Sequence, residues 1–152
     1  MAQEGSVTAI AHAIQLAVAP VFLVSGIAAF LAVLTNRLGR IIDRARALGA
    51  SAASPSSAET QQELHVLTRR ARLVNRSIAL ATSSALLIAT LIVILFVGAF
   101  LTLDVAPPVG ILFVAALLAL IGALLAFLQE VRLATSTLRL HDGQRSDSGR
   151  AG

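Results

Sequence analysis

Apolar residues fill three long runs of the chain, and all charged residues lie outside them. The runs cover residues 10–34, 77–103 and 109–128, and none of them contains Asp, Glu, Lys or Arg. Even the shortest run is about 30 Å long as an α-helix, which matches the hydrocarbon core of a bilayer. We therefore predict three transmembrane helices over these ranges.

The overall composition supports a protein that folds in lipid. Hydrophobic residues make up 57% of the chain and charged residues 13%, whereas soluble domains have about 45–50% and about 25%. A chain of 152 residues has too much surface to hide so many apolar side chains from water. The composition predicts an all-α integral membrane protein.

The positions of the basic residues predict how the chain is oriented. All 12 basic residues are Arg; eight lie in segment 35–76 and four in the tail 129–152, and none lies in residues 1–9 or 104–108. Because basic residues concentrate on the cytoplasmic side of a membrane, we expect an external N-terminus at 1–9 and a short external link at 104–108. The C-terminus is then cytoplasmic, with a helical extension over 129–141 and a disordered tail over 142–152.

Segment 35–76 shows a helical pattern on both sides of a Ser- and Ala-rich turn at 49–58. Apolar residues recur at alternating steps of three and four, which indicates one buried face on each helix. We therefore predict that the first two transmembrane helices extend into an antiparallel helical hairpin in the cytoplasm. The two predicted apolar seams consist of Leu34, Leu38, Ile41, Ala45 and Leu48 in the first arm, and Leu64, Leu67, Ala71, Val74 and Ile78 in the second.

Both arms of the predicted hairpin carry Arg at similar spacing, in the pattern R-x-x-R-apolar-apolar-[D/N]-R. Steps of three and four place each set of three Arg on one helical face. One interpretation is a basic surface that contacts anionic lipid or a phosphate-bearing partner; the other is charge that only sets topology. The candidate contact residues are Arg37, Arg40, Arg44, Arg69, Arg72 and Arg76.

Glu130 lies two residues past the end of the third apolar run. We expect it to lie at the inner interface, level with Arg37 and Arg76, and to form an ion pair with one of them. As a surface pair it would contribute roughly 0–1 kcal/mol. Its importance would be to hold the third helix against the hairpin.

Motifs for catalysis or cofactor binding are missing from the sequence. There is no Cys, no phosphate-binding loop, no G-x-G-x-x-G and no H-E-x-x-H, so thiol chemistry and the common nucleotide and zinc motifs are excluded. His12 is expected on the outer side and His65 and His141 on the inner side, so they cannot share a metal. The basic arms also lack the aromatic residues that single-stranded nucleic acids stack on. We expect no cofactor, no metal, no enzymatic activity and no nucleic-acid partner.

Two sequence blocks resemble a known family. The first runs from Ala17 through the T-N-R at 35–37 to Arg44, and the second covers 67–76. They are similar to the bacterial membrane proteins grouped as domain of unknown function 2721, and the resemblance spans about residues 8–141. It implies a multi-span protein of the bacterial inner (cytoplasmic) membrane, and it implies no established activity or catalytic residue.

Two classes of function fit these observations. The first is a non-enzymatic scaffold or accessory subunit that contacts anionic lipid, associates with its own copies or docks a membrane-protein partner through the Arg-rich hairpin. The alternative is a subunit of a small homo-oligomeric channel or transporter, because three helices alone cannot enclose a pore. A membrane enzyme ranks third.

Overall fold

A computed structural model describes residues 2–51, 58–101 and 105–148, and over these residues the chain is entirely helical. Three helices follow one another: α1 (Ala2–Ser51), α2 (Ala58–Leu101) and α3 (Ala106–Ser148). Each contains a stretch long and apolar enough to cross a membrane. The predicted class, an all-α protein with three apolar helices of membrane-spanning length, is confirmed.

The helices are longer than the apolar runs that predicted them. α1 continues past residue 34 to Ser51, and α2 begins at Ala58, well before residue 77. The arms are therefore helical, as their periodicity indicated. Residues 52–57 of the predicted turn lie outside the described residues, and its beginning, 49–51, is the end of α1. Pro20 lies inside α1 without ending it.

The bounds of α3 differ from the sequence prediction at both ends. The helix begins at Ala106 and takes Pro107 and Pro108 into its first turn, where a missing N–H leaves no helical bond unmade. At the other end the helix continues to Ser148, through part of the segment predicted as a disordered tail. No proline after Pro108 prevents this extension. Residues 149–152 lie outside the described part of the chain.

Two compact units can be distinguished. The first, which we call the apolar unit, contains α1 up to Val33 and the segment Ile78–Ala123. Its core combines branched side chains with alanines, which allow helix backbones to approach closely in lipid. The buried core residues are Ile27, Ala81, Ile88, Ala116 and Ala123.

Hydrogen bonding and exposure in the apolar unit are those of a lipid-facing structure. The buried Ser84 Oγ donates a hydrogen bond to the Ala116 carbonyl at 2.7 Å, which joins α2 to α3. Large apolar side chains are exposed on all three helices, including Phe22, Leu86 and Ile111. Such surfaces are stable against lipid tails but not against water.

The second unit, the arginine-rich unit, contains Leu34–Ser77 and the part of α3 from Leu124 onward. Its interior includes Leu34 and Ile41 of α1 and Leu67 and Val74 of α2, all buried. The two residues on each helix are seven positions apart and belong to the predicted seams. The other members of the seams are half-buried. The spacing of apolar residues therefore identified the inner faces of both arms.

Candidate functional site

A single carboxylate lies at the centre of the arginine-rich unit. Glu130 projects from α3 and is completely buried. Arg70 of α2 donates from Nε to Glu130 Oε1 at 3.0 Å, and Arg37 of α1 places its Nε 2.6 Å from Oε2. One side chain thus connects all three helices of this unit.

The contacts of Glu130 with Arg37 and Arg70 differ in kind. Arg70 makes a true hydrogen bond, whereas the Arg37 Nε–H direction misses Oε2 and the contact is an ion pair only. The Arg37 guanidinium also lies 5.5 Å from the ring centre of Phe127 on α3, within the range of a cation–π interaction. Arg37 is therefore held by both a charge and an aromatic face.

These contacts change the role expected for Glu130. The sequence suggested a surface pair of little energy with Arg37 or Arg76, but the carboxylate is fully buried, and the second partner is Arg70. Removing one member of a buried pair leaves an uncompensated charge and costs about 3–5 kcal/mol. Arg70 and Arg76 are six residues apart, so they point about 120° apart around α2, and it is Arg70 that faces Glu130 of α3.

A second ion pair crosses between α1 and α2 at the surface. Arg44 donates from Nε and Nη2 to Glu63 Oε1, at 3.1 and 2.9 Å. Both side chains are exposed, 60% and 43%, so water screens the pair and its contribution is small.

The six candidate Arg therefore do not share one surface role. Arg37 and Arg44 are engaged by carboxylates of the chain itself. Arg40 is exposed on α1. The α2 set, Arg69, Arg72 and Arg76, is also exposed, and all three line one cavity.

That cavity lies between the α2 and α3 segments of the arginine-rich unit and has a volume of about 720 Å³. It is open to the outside, and no acidic side chain of the described residues lines it. Four of its lining residues are Arg, so the lining carries a positive formal charge. The lining consists of His65, Arg69, Arg72, Leu73, Arg76, Gln129, Arg132 and Leu133.

Three of the polar lining residues were not among the sequence candidates. A signal existed for His65, since His65, Arg69, Arg72 and Arg76 follow steps of 4, 3 and 4 along one helical face. Gln129 and Arg132 had no such signal, because their place depends on how α3 is rotated against α2. Within the described residues, no three His, Asp or Glu side chains are grouped as a metal ion requires.

The three apolar helices place the chain in the class of multi-pass membrane proteins. Residues 17–140 match the model of the family described as protein of unknown function, DUF2721, so the chain belongs to this family. The family resemblance noted in the sequence is confirmed. Neither the curated proteins nor the solved structures contain a match to the chain.

Proposed function

We propose that this protein is a non-enzymatic scaffold or accessory subunit of the bacterial inner membrane, and that its arginine-rich unit contacts anionic lipid headgroups or an anionic partner. The observation that carries the proposal is the cavity with four Arg and no acidic residue in its described lining. Guanidinium groups are well suited to binding phosphate and carboxylate groups. The N-terminus is external and the C-terminus cytoplasmic in this proposal.

The separation of charge between the two units supports this orientation. Every Arg in the described part of the chain belongs to the arginine-rich unit, and none belongs to the apolar unit. Basic segments stay on the cytoplasmic side, where the anionic leaflet attracts each basic residue near it by about 1 kcal/mol. The arginine-rich unit would thus meet the negatively charged surface of the membrane.

The central Glu130 supports a scaffold role. By pairing with Arg37 and Arg70 it ties α3 to α1 and α2, which gives exposed side chains such as Arg69 and Arg72 a defined backbone to project from. The cavity offers guanidinium, imidazole and amide groups, which bind anions, and it pairs no nucleophile with a base among its described lining residues. Binding is the chemistry that these groups favour.

The test is lipid retention by the full chain in nanodiscs of mixed neutral and anionic lipid. A variant with Arg40, Arg46, Arg69 and Arg72 replaced by Gln keeps Arg37, Arg44, Arg70 and Arg76 for orientation and internal pairing. We expect it to insert in the same orientation but to retain less anionic lipid in native mass spectrometry. A matched variant with Lys at the same four positions keeps the charge and should retain most of the anionic lipid. Unchanged lipid retention in the correctly inserted Gln variant would refute the proposal.

The alternative, a channel or transporter subunit, has less support. Ser25, Ser83 and Thr90 lie on exposed faces of the apolar unit, but each hydroxyl donates to the carbonyl four residues earlier in its own helix. Such groups are satisfied without a water-filled path. A closed ring of copies in nanodiscs, seen by native mass spectrometry, would favour the alternative.

A further inference from the structure

Six arginines of the arginine-rich unit form two groups that differ in their partners. Arg37, Arg70 and Arg44 each contact a carboxylate of the chain. Arg69, Arg72 and Arg76 have no acidic partner among the described residues, and all three line the same cavity. Guanidinium groups gathered around one cavity repel one another. An anion that binds there is attracted by all of them and offsets this repulsion.

The third helix completes the cavity with groups suited to an anion. Gln129 and Arg132 contribute further donors from α3, while the half-buried Leu73 and Leu133 supply apolar walls. The nearest acidic residue in sequence, Glu130, is buried, accepts a hydrogen bond from Arg70 and forms an ion pair with Arg37. Its charge is therefore already compensated, and it does not line the cavity.

Size and charge together define the kind of ligand. About 720 Å³ falls within the roughly 300–1,000 Å³ typical of small-molecule sites, and it far exceeds the volume of one phosphate group. A phosphate monoester carries about −1.5 to −2 at neutral pH and three acceptor oxygens, and Arg binds such oxygens in pairs. A phosphodiester carries only one charge and balances several guanidinium groups less well.

We propose that the cavity formed by His65, Arg69, Arg72, Arg76, Gln129 and Arg132 binds a phosphate monoester group that is part of a larger molecule. This inference rests on the proposed function and narrows it from anionic contact in general to one doubly charged headgroup. The monoester has two sources, a lipid such as phosphatidic acid or a soluble phosphate compound. In both, the rest of the molecule would lie against Leu73 and Leu133.

The experiment uses the full chain in nanodiscs and two matched double variants. Arg69→Gln with Arg72→Gln removes two charges from the cavity, and Arg40→Gln with Arg46→Gln removes two exposed charges of α1 that do not line it. Binding of phosphatidic acid, phosphatidylglycerol and glycerol 3-phosphate is measured by native mass spectrometry. We expect the monoester to bind more tightly than the diester lipid. The cavity variant should lose about tenfold or more in monoester affinity, whereas the α1 variant should stay close to the wild type.

The outcomes distinguish a lipid ligand from a soluble one, and the monoester site from the more general proposed function. Selective retention of phosphatidic acid identifies a lipid ligand, and binding of glycerol 3-phosphate in neutral nanodiscs identifies a soluble one. Equal retention of both lipids, with equal losses in both double variants, would overturn the monoester site and leave the proposed function standing. If the wild type binds no monoester at all, the site is also overturned, and phosphatidylglycerol retention then tests the proposed function separately.

A second measurement uses only the wild type, so that the inference does not depend on the folding of a variant. Phenylglyoxal modifies accessible guanidinium groups, and mass spectrometry of peptides reports which Arg have reacted. Phosphatidic acid or glycerol 3-phosphate, whichever binds, should protect Arg69, Arg72 and Arg76 and leave Arg40 and Arg46 reactive. Equal protection of all five residues would contradict a discrete site.

Discussion

The apolar unit and the arginine-rich unit hold their helices together by different interactions. In the apolar unit, small side chains such as Ala81 and Ala116 are fully buried, and the hydroxyl of Ser84 bonds across helices. In the arginine-rich unit, a buried carboxylate contacts two arginines from two other helices. Lipid tails are as apolar as the helix surfaces, so the hydrophobic effect contributes little to helix association in the bilayer. Close packing of small side chains stabilises the association instead. Buried charged groups can hold helices together only where nearly every charge has a partner of opposite sign.

The largest effect is expected from Glu130→Gln. The change leaves Arg37 and Arg70 without a buried counter-charge, and we expect a loss of about 3 kcal/mol in the free energy of unfolding, at the lower end for buried pairs because both arginines are partly exposed. Chemical unfolding in detergent micelles measures it. Glu63→Gln, in the exposed pair with Arg44, is the matched control and should cost no more than about 0.5 kcal/mol. Equal losses in the two variants would mean that Glu130 is not the central tie of this unit.

A smaller loss is expected from Ala116→Leu in the apolar unit. Ala116 is fully buried, and extra methylene groups in a close-packed interior typically cost 1–3 kcal/mol, so we expect about 2 kcal/mol. Ala89→Leu, at an exposed position of α2, is the control and should be nearly neutral. If both variants unfold alike, close packing at Ala116 does not hold α3 in place.

The smallest effect is expected from Ser84→Ala. The variant loses the hydrogen bond to the Ala116 carbonyl but leaves that carbonyl within a helix, and such bonds average about 0.6 kcal/mol in membrane proteins. Ser83→Ala removes a hydroxyl that bonds only within α2, so it should change stability less. If Ser84→Ala lost as much free energy of unfolding as Glu130→Gln, the Ser84 hydrogen bond would stabilise the apolar unit as much as Glu130 stabilises the arginine-rich unit, contrary to the difference expected between the two units.

How far the sequence predicted these features depends on whether they belong to one helix or to several. The uncharged runs identified the membrane-spanning stretches, and spacing of three and four identified Leu34, Ile41, Leu67 and Val74 as inward-facing. Both are properties of a single helix. The burial of Glu130 and its choice of Arg70 depend on the rotation of α3 against the other helices, which no local pattern specifies.

The same distinction applies to the candidate site. The spacing correctly grouped Arg69, Arg72 and Arg76 on one face of α2, because that grouping is local. It also grouped Arg37 and Arg44 with them as candidates for anion contact, although these two have carboxylate partners. The prediction missed Gln129 and Arg132, which join the cavity from α3. Whether any of these residues contacts a ligand stays a prediction.

The position of Glu130 in the chain has a consequence for biosynthesis. Arg37 and Arg70 are translated well before Glu130, so both guanidinium groups leave the ribosome before their shared acceptor exists. During that interval the first two helices must remain compatible with hydrated, unpaired arginines. The pairing that ties the three helices together can form only when α3 has been made, so both arginines lack this carboxylate in every nascent chain that ends before residue 130.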